Sequence, residues 1–442
     1  MSGPETPAGP ASGSLLTTSG YAHYVLGALT LCYVVNVMDR SQILAASLQT
    51  IKLELGASDL QMGMLTGLPF AVFYAIMGIP IAALADRWSR RNVLALSVGF
   101  WSAMTALFGL AGSFTTLFVT RVGTAVGEAG GSPPSHSLIS DYFPKSRRGT
   151  AFSIFALAVP IGSALGAAIG GWGNDNLGWR MTFVAVGAPG LLLALLVRMT
   201  VLEPPRGMSD GVVRSAEKAP AMLDVLRFLW FRPSFRHLSL AAALHSVVWY
   251  ASGAFNNAFL QRSHALTAAE AGYWIAVFSL IAGVGTFVGG FLADRLSVRL
   301  NDRRWYLWVP GIATLFCVPF QFLAYLSPTL STALPGFVGL MLMAAVFFGP
   351  SFAMTQALAT LRMRSVATSV LLFIQTLIGN GLGPSLTGFL SDWLAPSYQV
   401  DSLRYALVII GVVNVWAAVH YALGARTLRA DMAHSESLAT TA

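Results

Sequence analysis

Two acids and two guanidinium groups stand inside stretches of sequence that are otherwise apolar: Asp39 and Arg40 in the first such stretch, Arg121 and Glu128 in the fourth. The chain has 27 Lys and Arg and 19 Asp and Glu, and these four are the ones clearly surrounded by apolar neighbours. Arg198, near the end of the sixth stretch, can extend its charge out along its stem. A charge at the centre of a hydrocarbon layer costs about 2.5–3.5 kcal/mol, so four unpaired ones would cost on the order of 10 kcal/mol. The chemistry open to them is ion pairing and proton exchange. A carboxylate beside a cation stays ionised, and the same group parted from it in apolar surroundings takes up a proton. A movement that makes and breaks such a contact couples protonation to conformation. The competing reading is a pair of buried salt bridges that fix helix packing. Buried pairs stabilise poorly and intramembrane carboxylates mark function, which favours Asp39 and Glu128 as proton-coupling groups with Arg40 and Arg121 as partners.

The elements that must hold these groups follow from composition. Of 442 residues 55% are hydrophobic and 10% charged, and the apolar residues come in runs long enough to cross about 30 Å of hydrocarbon as helix. Alternating strands of the barrel kind are absent from the sequence. Hydropathy and Gly/Pro punctuation predict an all-α membrane protein with twelve transmembrane helices. These fall near 22–46, 60–85, 92–112, 114–138, 150–172 and 180–201, then near 238–260, 269–293, 305–326, 334–357, 366–390 and 403–424. Residues 1–20 read as a disordered tail, 21–201 and 238–425 as two six-helix bundles, 202–237 as a linker and 426–442 as a second tail. The linker ends in an amphipathic stretch, Met222 to Arg232, expected to lie on the membrane surface. Asp39 is expected about seven residues from the outer end of its helix and Arg121 about eight from the outer end of its own, at similar depth. Arg121 and Glu128 are two turns apart on one helix face, separated by about 10 Å.

Basic residues orient the chain. Loops on one side hold Arg87, Arg90, Arg91, Lys145, Arg147, Arg148, Arg295, Arg299, Arg303, Arg304, Arg362 and Arg364. Arg206, Arg214, Lys218, Arg227, Arg232 and Arg236 of the linker and Arg426 and Arg429 of the tail join them, against Lys52, Arg180, Arg262 and Arg404 on the other side. An integral inner- or plasma-membrane protein with both termini in the cytoplasm is expected.

The halves repeat each other. Ala82-Ala-Leu-Ala-Asp86-Arg87-Trp-Ser-Arg-Arg91 follows the second span, and Gly290-Phe-Leu-Ala-Asp294-Arg295-Leu-Ser-Val-Arg299 follows the eighth. Gly162, Gly166 and Gly170 in the fifth span answer Gly379, Gly381, Gly383 and Gly388 in the eleventh. Repeated halves are the sequence sign of two bundles that rock about a site at mid-membrane. Positive-inside anchoring explains the loop arginines but not an Asp at the same offset in both halves. Asp86, Arg87, Arg91, Asp294, Arg295 and Arg299 are therefore expected to form a gate at the cytoplasmic end. Substrate contacts are sought among polar and aromatic residues inside spans: Asn36 and Tyr74 in the first half, and His245, Trp249, Tyr250, Asn256, Asn257, Thr355, Gln356, Gln375 and Asn380 in the second. Each serves as well as a helix-to-helix hydrogen bond. A cationic first half facing an apolar, aromatic second half suits a small amphipathic substrate, anionic in charge.

Other classes find no support. The basic residues lie in short membrane loops instead of one patch, against nucleic acid. Cys32 and Cys317 both fall inside spans, against a disulfide or metal framework. Enzyme motifs and a Walker loop are missing, so neither catalysis nor ATP-driven transport is expected. Protons are the expected coupling ion, no other cofactor is implied, membrane lipid is the surrounding partner, and a monomer is the default because one chain already holds both halves.

These motifs resemble those of the major facilitator superfamily along the whole chain: the two Asp-Arg loops, and Arg121 with Gly127-Glu128 in the fourth span. Ala82 and Ser89 stand where glycines are usual, while the second copy keeps Gly290. Asn36-xx-Asp39-Arg40, Gly127-Glu128-Ala129-Gly-Gly-Ser-Pro133, Asp141-Tyr-Phe-Pro-Lys-Ser-Arg-Arg148-Gly and Phe259-Leu-Gln-Arg262-Ser-His264 are similar to the Spinster family, and the short loops to bacterial members. The resemblance implies the major facilitator fold, two pseudo-symmetric six-helix bundles, and a proton-coupled or facilitated carrier in which Asp39 and Glu128 matter for coupling. Eukaryotic relatives export sphingosine-1-phosphate or lysophospholipids, which implies a lysolipid-like substrate. A multidrug–proton antiporter is the alternative, compatible with Pro160 and the glycine ladder of the fifth span.

Overall fold

The computed structural model describes residues 19–210, 222–360 and 363–440. The tail expected over 1–20 lies outside them up to residue 18, as do Arg214 and Lys218 of the linker and Arg362. Among the described residues every regular element is a helix. Spans one to six are Ser19–Leu55, Asp59–Arg87, Arg90–Phe108, Phe114–Glu128 with Ser132–Tyr142, Lys145–Ala156 with Ala158–Asn176, and Gly178–Thr200. Spans seven to twelve are Pro233–His264, Ala268–Arg299, Trp305–Leu326, Leu330–Leu358, Arg364–Ile374 continuing into Gly381–Tyr398, and Ser402–Gly411 with Val413–Thr440.

Several spans outrun the hydropathy windows. The first ends at Leu55 where 46 was expected, the seventh starts at Pro233 where 238 was expected, and the eighth runs to Arg299. Hydropathy registers only the part in hydrocarbon, and a helix of 32 residues is about 48 Å long. One consequence corrects an expected distance: Asp39 lies sixteen residues before Leu55, not seven from its helix end, because the helix continues through residues 47–55, whose polar residues fall outside the hydropathy window. The twelfth span likewise continues helical through the segment expected as a tail.

Loop chemistry starts several helices cleanly. Ser58 with Gln61, Ser113 with Thr116 and Thr267 with Glu270 each form a reciprocal capping box at the start of spans two, four and eight. Gly130 and Gly131, followed by Pro133 and Pro134, interrupt span four just past Glu128. The linker helix, Met222–Trp230, buries Val225 and Leu229 against Phe235, Leu238 and Leu371 of the second bundle and leaves Leu223 and Trp230 exposed, as is Phe231 just after it.

The bundles touch at the end opposite the basic loops, called here the far end. One apolar cluster runs through that contact, joining Leu44, Leu48, Met62 and Leu65 of the first half to Phe255, Phe259 and Phe278 of the second. Backbones approach closely there. A Cβ on Gly63 would collide with the carbonyl of Pro384, and one on Gly272 with the carbonyl of Ala167. Arg262 adds a two-pronged ion pair across the contact, with Nη1 and Nη2 at 2.8 and 2.6 Å from the two oxygens of Asp59, whose Oδ1 also meets Lys52 Nζ at 2.8 Å. At the basic end the expected gate residues bond within their own halves or, for Asp86, to the start of the linker. Asp86 is exposed and meets Arg206 at 3.8 Å, Asp294 accepts from the Tyr306 hydroxyl at 2.5 Å, and Arg91 donates to Asn92 and to the Val201 carbonyl. Arg87 and Arg299 are exposed, and Arg295 lies over the Phe291 ring.

One polar hub ties the linker to the first bundle. Arg90 is fully buried at the start of span three. Its Nε donates to Glu203 at 2.8 Å, Nη1 to Asp141 and Ser137, and Nη2 to the Pro204 carbonyl. Glu203 also accepts from the Ser89 hydroxyl and the Arg91 amide, both at 2.8 Å. Burial pushes the Glu203 carboxyl up, but the Arg91 amide, Arg90 and Ser89 outweigh it and hold it below the ordinary 4.5. Removing Arg90 leaves Asp141 with the Gly207 amide and Glu203 with Ser89 and the Arg91 amide but takes away the guanidinium between them, so Arg90→Ala should cost about 2–3 kcal/mol in thermal unfolding of the purified protein. The stability Glu203 contributes is complete above pH 4.5 and is lost as pH falls below it. Glu203→Gln should therefore melt lower than wild type at pH 7, with the gap closing below pH 4.5.

Candidate functional site

Three helices widen by one residue per turn at the same level. Met38–Gln42 in span one, Phe70–Tyr74 in span two and Gln375–Asn380 in span eleven are π-helical turns. Such turns re-aim side chains and free carbonyls, and they concentrate at functional sites. The last two touch each other, with Ala71 against Gly381, and the first reaches the second through Arg40. All four charges singled out from sequence gather here.

Asp39, Arg121 and Glu128 are 1–2% exposed, and Arg40 is partly exposed. Arg121 donates from Nη1 to the backbone carbonyl of Asp39 at 3.1 Å and from Nη2 to that of Arg40, both carbonyls belonging to the widened turn. Its guanidinium carbon lies 4.5 Å from the centre of the Phe70 ring. The Asp39 carboxylate takes a long bond of 3.4 Å from the Thr105 hydroxyl. Arg40 stands over Phe70 and Tyr74, with ring centres 5.0 and 4.6 Å away. Tyr33, Tyr250 and Glu128 are its further electrostatic neighbours, so Tyr250 brings the second half against the first. Among the described residues neither oxygen of Glu128 has a hydrogen-bond partner, and Asn36 faces that carboxylate without closing a bond to it. Asp39 Oδ1, Arg121 Nε and Asn36 Nδ2 are unpartnered too. No ion pair joins the four charges among the described residues, so the two buried salt bridges required by the packing alternative do not form. What the geometry supplies is guanidinium groups held by aromatic faces beside two acids, Glu128 without a hydrogen-bond partner among the described residues and Asp39 with only the long bond from Thr105.

Second-half candidates divide. Trp249 and Tyr250 are half-buried, Trp249 standing edge-on to Phe348. Gln375 and Asn380 bracket the π turn of span eleven, and the Nε2 of Gln375 is buried without a partner. The others are engaged elsewhere. His245 bonds Asn414 and the Ala344 carbonyl, both at 2.9 Å. Asn256 accepts from the Tyr325 hydroxyl at 2.7 Å, and Asn257 accepts from Gln261. Thr355 bonds the Ser351 carbonyl one turn back, and Gln356 donates to Thr368. Sequence reasoning passed over Phe70 and Tyr33. A Phe or Tyr in a membrane helix carries no local mark of cavity lining, and only the widened turn of span two brings Phe70 under both arginines.

A family model described as Major Facilitator Superfamily matches residues 29–384 and again 238–438. An MFS-type efflux pump of Mycolicibacterium smegmatis is 32% identical over 92% of this chain and 93% of its own length. Protein spinster homolog 3 of Danio rerio is 25% identical over 98% and 91%. Among solved structures, a bacterial homologue of the human lysosomal transporter Spinster, inward-facing and unoccupied, superposes with a TM-score of 0.86 at 35% identity, over 94% of this chain and 99% of that one. With twelve helical spans in two bundles and these relatives at nearly full length, the chain belongs to the Major Facilitator Superfamily and is a Spinster-like membrane transporter, not an enzyme.

Proposed function

We propose that the protein is a proton-coupled secondary transporter that moves an amphipathic anion, a lysolipid or sphingosine-phosphate-like molecule or another organic anion, by alternating access. The basic end faces the cytoplasm, both termini lie there, and the closed far end makes the described conformation inward-facing. The observation that carries the reading is Glu128: a carboxylate 1% exposed, with neither oxygen bonded among the described residues, beside Asp39, Arg40 and Arg121. In such surroundings the acid is stable with a proton or with a cation drawn against it, and a change of bundle tilt exchanges one for the other. Arg40, partly exposed between Phe70 and Tyr74, offers the headgroup contact, and Tyr33, Trp249 and Tyr250 offer aromatic surface to an apolar tail. The open gate residues Asp86, Arg87, Arg91, Asp294, Arg295 and Arg299 would meet when the cytoplasmic end shuts. One chain transports as a monomer.

A multidrug–proton antiporter is the second reading, favoured by the likeness to the mycobacterial efflux pump. Proteoliposomes with an imposed proton gradient separate the two. Wild type should drive lysolipid movement, with lipophilic cations carried instead under the second reading. Glu128→Gln and Asp39→Asn should each reduce gradient-driven flux at least about tenfold, roughly 1.4 kcal/mol. Full gradient-driven flux in either variant removes that residue from the coupling. Arg40→Gln should raise the KM for an anionic substrate while sparing a cationic one.

A further inference from the structure

Two aspartates outside the central site repeat one arrangement across the bundle interface. Asp392, near the far end of span eleven, accepts the backbone amides of Asp59 and Leu60 at 2.9 and 2.8 Å, the first two of span two. Asp175, near the far end of span five, accepts those of Ala268 and Ala269 at 3.2 and 2.8 Å, the first two of span eight. Spans five and eleven occupy the same place in their halves, as do spans two and eight. Each bond therefore runs from one bundle to the other, once in each direction.

The local sequence leaves room for this division. Ser58 and Thr267 cap their own helices at the third amide, that of Gln61 at 3.1 Å and that of Glu270 at 3.2 Å. The first two amides remain without a local acceptor, at the end where a helix carries positive partial charge. Each aspartate is preceded by four residues by a glycine, in Gly171-Trp-Gly-Asn-Asp175 and Gly388-Phe-Leu-Ser-Asp392. Those glycines rest on the same helix starts: a Cβ on Gly388 would strike the Asp59 carbonyl, and one on Gly171 the Ala268 carbonyl. The glycine lets the foreign helix start come close, and the aspartate one turn on completes its cap.

We infer that Gly171 with Asp175 and Gly388 with Asp392 are a matched pair of inter-bundle latches, and that Asp175 and Asp392 are positioning residues that hold the far end shut and so set which face the central site opens to. The inference rests on the alternating-access reading for its meaning in transport, but the latch itself is a statement about conformation. It is tested with spin labels on Leu177→Cys and Val400→Cys, exposed far-end positions in opposite halves of a chain whose native cysteines are both buried. Purified full-length protein in nanodiscs, without substrate or gradient, should give one short distance. Loss of a cap is worth roughly a twofold to thirtyfold change in equilibrium. Asp175→Ala and Asp392→Ala should each add a longer-distance population, and the double variant the largest. Asp→Asn variants, which keep an acceptor but lose the charge, should fall between and guard against misfolding of the alanine forms. An unchanged distance distribution in the asparagine and alanine double variants overturns the latch. Far-end opening in those variants, with gradient-driven flux absent from wild type, leaves the latch standing and removes the transport reading alone.

Discussion

A charge or an unpaired amide inside lipid must find a partner within the protein, and this constraint organises the molecule at three levels. Along the backbone it makes every span a helix, since a helix satisfies its own amides. At the far end, where helices start and their first amides have no partner along the helix, carboxylates of one bundle accept the first two amides of a helix in the other. At the centre it leaves Asp39 and Glu128 with fewer partners than their burial demands, and polar groups left short in this way mark function more often than packing. The same physical rule thus produces rigidity where partners are complete and reactivity where they are not.

The two ends of the molecule express that difference. Asp59 is satisfied several times over, by Arg262, Lys52 and Ser391, and it sits in a seam where glycines let backbones touch. Asp86, at the other end of the same span, is exposed with one distant arginine. A helix anchored at one end and loose at the other is suited to pivot. The Arg90 hub complements this by binding span three, the start of the linker and Asp141 together at the basic end of the first bundle.

How much could be read from the residues alone follows from what each signal measures. Helix number, the repeat and the four intraspan charges were legible because hydropathy and charge report directly on the cost of transfer into lipid. The distance of Asp39 from its helix end was not, since the more polar continuation of span one to Leu55 is invisible to a hydropathy window. Nor was the choice among second-half polar residues: His245 and Asn256 look in sequence like Gln375, and only the positions of Asn414 and Tyr325 decide that the first two bond between helices. The Gly-xxx-Asp repeat stood in plain view, but two short matches 217 residues apart gain meaning only when each is found on the start of a helix in the opposite half.

The π-helical turns connect these levels. A π turn in span one carries the carbonyls of Asp39 and Arg40 to Arg121, which occupies that guanidinium with backbone and leaves the carboxylate of Asp39 with only a long bond from Thr105. Had span one stayed α-helical, its carbonyls would bond along the helix, and Arg121 would be free to pair with a carboxylate in a closed and inert salt bridge. The widened turn therefore sets the partnerships of the site. It commits the buried guanidinium of the site to the backbone, leaves both oxygens of Glu128 and one of Asp39 without a hydrogen bond among the described residues, and leaves Arg40 partly exposed against Phe70 and Tyr74.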